Sequence, residues 1–147
     1  MPSSISYDAA FVDQCRSDLN AKVATYRRLF EAITEEGAGR TSSLDAALAA
    51  LEPVFFNNLL VVLDSQFARR SRAVEQSDGT PLNEVRIICT SMMVNNGVMG
   101  SDPTINYVPE QSILHYREGD EIRLGEHDFA LLADAFLTEI VEKFVTH

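Results

Sequence analysis

The stretch from Val54 to Leu63 most constrains the fold, because it is apolar almost all the way round a helix. A helix with one apolar stripe can pack on one side, whereas a helix that is apolar all round has to be surrounded. The stretch belongs to a helical pattern that starts after Ser43. Pro53 predicts a kink or restart, after which the helix runs on to about Gln76. We therefore expect this second helix to lie at the centre of the packing.

Apolar side chains recur every three or four residues in three further segments, and each segment predicts a helix. The first covers residues 7 to 36 and stops at Gly37. The third begins at Pro81, because proline suits the first helical turn, and closes where Gly97 can adopt a left-handed cap. The last helix follows Gly125. Four helices with short connections favour an up-and-down four-helix bundle.

Residues 100 to 124 have a different character, with two prolines and several β-formers. The sequence from Arg117 to Asp120 predicts a turn, since its third residue, Gly119, suits a type II or bulged type I turn between two strands. The predicted fold is therefore mainly α, with a small antiparallel β-hairpin inserted between helices three and four of a single domain over residues 1–147. The residues that would share the inner face of this hairpin are Ile113, His115, Ile122 and Leu124.

The composition of the chain indicates its cellular location and the classes of partner to expect. A formal charge of −10 over 147 residues repels phosphate backbones, so we expect no nucleic-acid partner. No uninterrupted apolar run approaches the ~20 residues of a membrane span, and the first residues lack a signal-like core, which favours a cytoplasmic protein without a membrane partner. Cys15 and Cys89 occupy apolar helical positions and are expected to be buried free thiols.

Polar side chains interrupt the apolar second helix where a plain core would carry leucines. Asn57 and Asp64 lie two turns apart on one stripe, which continues to Arg72 and Glu75. Asn83 and Arg86 form a comparable stripe on the third helix. If the two helices are antiparallel neighbours, the short turn between them brings these stripes together. The polar groups must then satisfy one another or a ligand, because burying them unpaired is costly.

Three interpretations of this cluster remain open. It could be a salt-bridge and amide network that fixes the register of the two helices. It could be a pocket for a small anionic or amide-bearing ligand, since guanidiniums recognise carboxylate and phosphate groups. It could also act as the site of a small enzyme on a polar substrate. We expect a non-enzymatic binding or interaction protein with no catalytic residue and no cofactor, and the candidate ligand-binding residues are Asn57, Asp64, Arg72, Asn83 and Arg86.

The three histidines do not have the spacing of a metal site. His115 falls on a predicted strand, His127 lies in the first turn of the last helix, and His147 ends the sequence. Metal binding is therefore not expected, and the alternative is a weak site near His115 and His127.

The first helix also predicts self-association. About thirty helical residues reach ~45 Å, which is further than the neighbouring helices can cover. A second copy would hide the uncovered apolar stretch, so a homo-oligomer is expected.

Short strings over roughly the last two-thirds of the chain form a recognisable set: Phe55-Phe56-Asn57-Asn58-Leu59-Leu60, Leu63-Asp64, Val74-Glu75, Asp78-Gly79, Pro81-Leu82-Asn83-Glu84-Val85-Arg86, Met92, Gly97-Val98-Met99, Gly119-Asp120-Glu121-Ile122 and Asp128-Phe129. In these strings the chain resembles a group of small bacterial proteins, mostly actinobacterial, to which no activity is attached. The resemblance implies a soluble cytoplasmic protein and transfers no catalytic residue.

Overall fold

The computed structural model of the protein describes residues 6–36 and 41–145. The prediction of a mainly α fold with four long helices is confirmed. The expected stop of the first helix at Gly37 lies outside the described residues. A 3-10 turn, Pro109–Gln111, precedes the last helix. The helices are α1 (Ala9–Glu36), α2 (Ser42–Gln66), the four-residue α3 (Arg72–Glu75), α4 (Pro81–Val94) and α5 (Glu126–Phe144).

The core lies between the four long helices. α5 packs on α1, α2 and α4, and α2 also packs on α1 and α4. Phe56 and Phe136 are fully buried there, as are aliphatic side chains such as Leu60. Cys15 and Cys89 are buried free thiols, and burial raises the pKa of both. Raised pKa values keep the thiols protonated, so the two cysteines act as small apolar side chains.

α2 is not surrounded within one copy of the chain. Its inner face is fully buried, but Val54 is 58% exposed and Val62 is 38% exposed. The helix continues through Pro53 without a break. By length and composition it is apolar enough to cross a membrane, and 28% of the residues in its most apolar stretch are buried. The expected burial on all sides is therefore wrong for the single chain, and one face of α2 is open.

The second helix ends at Gln66, ten residues before the predicted end near Gln76. The N–H of Phe67 bonds back to the carbonyls of Asp64 and Ser65, and this closes the helix. Ser71 then caps α3, its hydroxyl accepting the N–H of Val74 at 3.4 Å. The break lets the chain reverse and brings α3 against the end of α5.

The predicted β-hairpin is wrong, because the described residues contain no strand. The turn itself forms, with Gly119 at a φ of 96°. The segment after it pairs with residues 97–99 instead of 113–116: Met99 N bonds to Asp120 O at 2.7 Å, and Ile122 N bonds to Gly97 O at 2.9 Å. An isolated antiparallel bridge joins Val98 to Glu121.

Two features prevent residues 113–116 from forming the expected strand. The carboxylate of Glu84 accepts the N–H groups of Ile113 and Leu114, which removes them from any ladder. His115 has a φ of 62°, which an extended strand does not allow. Ile122 and Leu124 are nevertheless buried as expected, whereas His115 is exposed.

Candidate functional site

Glu75 lies at the centre of the polar cluster and is fully buried. Arg86 donates two hydrogen bonds to its carboxylate, from Nε to Oε2 at 2.8 Å and from Nη2 to Oε1 at 2.9 Å. Arg70 Nε also donates to Oε1, and Asn83 Nδ2 donates to Oε2 at 3.1 Å. A buried carboxylate is tolerated when its oxygens are paired in this way. Each oxygen of Glu75 therefore has more than one donor.

Arg70 is the second buried charge, with 4% of its surface exposed. Besides Glu75 it reaches Asp64, with 2.8 Å between Nη2 and Oδ1, although the angles at these two atoms do not make a hydrogen bond. Its guanidinium also lies 5.2 Å from the ring centre of Phe136 and donates to Phe67 O at 3.1 Å. The break after α2 makes these contacts possible, since it turns Arg70 inward.

The charges in the network shift one another's pKa values. Burial alone would raise the pKa of Glu75, but the hydrogen bond from Arg86 and the charge of Arg70 lower it. Burial likewise disfavours the charged form of Arg70, yet Asp64 and Glu75 outweigh that effect and raise its pKa. Both groups are therefore held in their charged forms.

The last helix anchors the same cluster from the other side. Lys143 Nζ donates to the backbone carbonyl of Glu75 at 2.8 Å and pairs with Glu139 at 2.6 Å. Glu139 Oε1 in turn accepts the N–H of Leu82, at the start of α4, at 2.9 Å. The network thus ties α3, α4 and α5 together.

The predicted ligand residues do not all meet. Asp64, Asn83 and Arg86 join the network around Glu75. Arg72 lies at its rim, 44% exposed, with Nε 3.8 Å from Glu75 Oε2 and Nη2 donating to Thr104 Oγ1 at 3.0 Å.

Asn57 is elsewhere. Its Nδ2 donates to Ile122 O at 3.0 Å, and its Oδ1 accepts the N–H of Leu124 at 3.0 Å. Its amide therefore fastens the segment before α5 to α2 and takes no part in the cluster around Glu75.

Two central residues, Arg70 and Glu75, were not among the predicted ligand residues. They are five positions apart, a spacing that does not share a helix face, so the periodic stripe of α2 gave no reason to pair them. The available signal was the accumulation of charge in Arg69, Arg70 and Arg72 next to a lone acidic residue. It indicates ion pairing, but it does not indicate which arginine is buried.

Glu84 is a second buried carboxylate and was not among the predicted ligand-binding residues. It is 2% exposed, and its two oxygens accept the N–H groups of Ile113 at 2.8 Å and Leu114 at 2.9 Å. Burial raises the pKa of Glu84, while the two backbone donors act against that rise. Its geometry is that of a clamp on the loop before α5.

Five surface cavities in the described part of the chain are lined by residues outside the cluster around Glu75. Nor do the described residues include three or more His, Cys, Asp or Glu side chains placed to hold a metal ion. His115 and His127 are both exposed, and His147 lies outside the described residues.

The fold and the cluster together define a mainly α protein in which the buried charged side chains of the described residues contact one another or backbone N–H groups. No protein-family model, no curated protein and no solved structure matches the chain.

Proposed function

We propose that the protein is a non-enzymatic interaction protein of the cytoplasm, an up-and-down four-helix bundle that forms a homo-oligomer through the outward face of α2. One observation carries this proposal: between Ala46 and Ser65 the exposed side chains of α2 are all uncharged. We call this surface the α2 face. Its residues are Ala46, Ala47, Ala49, Ala50, Val54, Asn58, Val62 and Ser65.

The α2 face has the form of a helix-packing surface. Five of its residues follow one another at steps of four and make a ridge of the kind that fits a groove on another helix. Alanines at one end allow a close approach of two backbones. Asn58 near the other end supplies a polar group that can fix the register of a helix pair. The ridge consists of Ala46, Ala50, Val54, Asn58 and Val62.

Charge favours a second copy of the chain as the partner. Each copy carries a formal charge of −10, so two copies repel wherever their charged surfaces meet. The exposed surfaces of α1 and α5 include Asp13, Asp18 and Asp134, whereas the α2 face has no charge to repel its own copy. An anionic membrane would also repel this chain, and the α2 face lacks the basic residues of helices that lie on membranes.

A charge placed on the ridge tests the proposal. The wild-type protein is expected to sediment as an oligomer at micromolar concentration, and Val54→Glu is expected to sediment as a monomer. Val54 is 58% exposed, so glutamate at this position does not disturb the core of one copy. Leu131→Glu is the matched control, because Leu131 is 47% exposed on α5, and it should leave the oligomer intact.

Three results would contradict the proposal. The first is a monomeric wild-type protein at tens of micromolar, and the second is an oligomer that survives Val54→Glu. The third is binding of the wild-type protein to anionic lipid vesicles that Val54→Glu abolishes, which would assign the α2 face to a membrane.

A second candidate function is binding of a small anion at the rim of the ion-pair network. The supporting observation is that two guanidiniums, those of Arg72 and Arg86, have side chains 44% and 23% exposed on the solvent side of Glu75. A carboxylate or phosphate could contact both. A small enzyme acting on a polar substrate through the same residues is the alternative, and it would need the same opening. The arginines are already paired with Glu75, which makes this candidate weaker than the α2 face.

Thermal unfolding tests the anion site. Inorganic phosphate should raise the melting temperature of the wild-type protein through binding to the folded state, and Arg72→Ala should remove that increase. Arg72 is the better variant because its contact with Glu75 is long and exposed, so its loss leaves the network in place. An equal rise with sodium chloride at matched ionic strength, or no rise at all, would exclude the site.

A further inference from the structure

A cavity of about 350 Å³ opens between α1, α2 and the start of α5. It lies on a different side of α2 from the α2 face, because Glu52 lines the cavity while Val54 points outward. Its lining combines aromatic rings with carboxylates, and none of the residues predicted from the sequence belongs to it. The lining residues are Tyr26, Arg27, Phe30, Glu31, Glu52 and Glu126.

Tyr26 forms an aromatic wall of this cavity. Its ring contacts Phe55 and Phe56 at centroid distances of 4.9 and 4.8 Å, and Phe30 at 4.7 Å. The residue is 8% exposed, yet its hydroxyl has no hydrogen-bond partner in the described part of the chain. A buried hydroxyl without a partner is uncommon, because it forfeits the hydrogen bond that water would give it. The hydroxyl therefore has capacity for a ligand.

The carboxylates of the cavity are mostly without cations. Glu126 pairs with Arg27 through Arg27 Nε. Glu52 Oε1 accepts the N–H of Glu126 at 3.2 Å. This hydrogen bond occupies one oxygen of the Glu52 carboxylate and does not neutralise its charge. The carboxylate of Glu31 has neither an ion pair nor a hydrogen bond among the described residues. Three carboxylates against one guanidinium leave two negative charges uncompensated.

We propose that this cavity binds an aliphatic diammonium compound. The two ammonium groups would donate hydrogen bonds to Glu31, Glu52 and the hydroxyl oxygen of Tyr26, and the methylene chain would lie against the rings of Tyr26 and Phe30. A cation beside an aromatic face is attracted to it, and the overall charge of −10 draws cations to the protein.

The cavity suits an extended organic cation better than a metal ion. A metal ion needs several ligands converging within about 2.0–2.6 Å, and the described carboxylates form no such group. An elongated diammonium can instead reach carboxylates set apart around a cavity. This inference does not depend on self-association through the α2 face, and either can fail without the other.

Calorimetric titration of the full chain with 1,4-diaminobutane tests the proposal, with 1,4-butanediol as the neutral compound of the same shape. The diamine should bind and the diol should not. Glu31→Gln should weaken diamine binding about tenfold by removing a charged acceptor, while Glu142→Gln, on an exposed position of α5, should leave it unchanged. Arg27→Gln should strengthen binding, because it frees Glu126.

Tyr26→Phe separates a ligand contact from a structural role. It removes the unpartnered hydroxyl, so the melting temperature of the free protein should stay the same or rise while the affinity for the diamine falls several-fold. Equal binding of the diol, an affinity unchanged in Glu31→Gln, or no binding by the wild-type protein would overturn the proposal. Displacement of the diamine by equimolar Mg²⁺ would overturn it as well, since the site would then be a metal site.

Discussion

Glu75→Ala is expected to lower the free energy of unfolding by about 3–5 kcal/mol, the range found when one partner of a buried ion pair is removed. Alanine would leave the guanidiniums of Arg70 and Arg86 without their shared carboxylate. A typical domain has only about 5–15 kcal/mol of stability, so the loss should be plain in a urea unfolding curve. Glu75→Gln, which keeps the volume and some hydrogen bonds, should lose less.

Two neighbours provide the comparison. Arg72→Ala should change stability by no more than about 0.5 kcal/mol, as for surface substitutions, because Arg72 is 44% exposed. The loss of stability in Asp64→Ala should lie between those of Glu75→Ala and Arg72→Ala, since Asp64 is 24% exposed and Arg70 keeps Glu75 as a partner. Equal unfolding midpoints for Glu75→Ala and Arg72→Ala would show that the network does not stabilise the fold.

The contribution of Glu75 to stability should decrease at low pH. Its pKa is lowered in the folded state from an ordinary value of 4.5. The stability linked to this group is therefore fully present above pH 4.5 and is lost as the pH falls through the folded pKa. Glu75→Gln should flatten this part of the curve of unfolding free energy against pH.

Glu84→Ala is expected to destabilise the protein by about 2–4 kcal/mol, because two backbone donors lose their acceptor and each unsatisfied buried group costs about 1–3 kcal/mol. The affected groups are the N–H groups of Ile113 and Leu114. Their amide protons should exchange faster with solvent in the variant. Glu118→Ala is the control, since Glu118 is exposed in the same region. Unchanged amide exchange at both positions would rule out the clamp.

The pH behaviour of Glu84 should be opposite to that of Glu75. Burial raises the pKa of Glu84 above its ordinary value of 4.5. Its contribution to stability is then fully present below pH 4.5 and declines as the pH rises through the folded pKa. The difference in unfolding free energy between the wild-type protein and Glu84→Ala should accordingly become smaller as the pH is raised from acid to neutral.

The long helices could be predicted because each carries its own periodic pattern within one stretch of chain. The end of α2 could not, because the pattern of apolar residues continues past Gln66 and does not mark where the helix stops. The predicted hairpin was wrong because a contact from another part of the chain decides the local structure. Residues 113–116 have β-forming side chains, but a carboxylate from α4 occupies the N–H groups that a strand would use.

The polar cluster was partly predictable. Asp64 and Arg86 lie on helices that are joined by residues 67–80, and both reach the network around Glu75, which lies on that connection. Asn57 shares the stripe with Asp64, but its partners lie 65 and 67 residues further along the chain. A local pattern contains no information about contacts at that distance. The cavity beside Tyr26 is likewise assembled from three separate helices.

The sequence separations of these contacts bear on the order in which the fold can assemble. The carboxylate of Glu75 meets Arg70 and Arg86 at separations of 5 and 11 residues, whereas Asn57 meets Leu124 across 67 residues. Closing the longer of these loops costs about 1.6 kcal/mol more in chain entropy than closing an 11-residue loop. The hydrogen bonds of the Glu75 carboxylate can therefore form within one short stretch of the chain, while the contact of Lys143 with Glu75 and the attachment of the segment before α5 require distant parts of the chain to find each other.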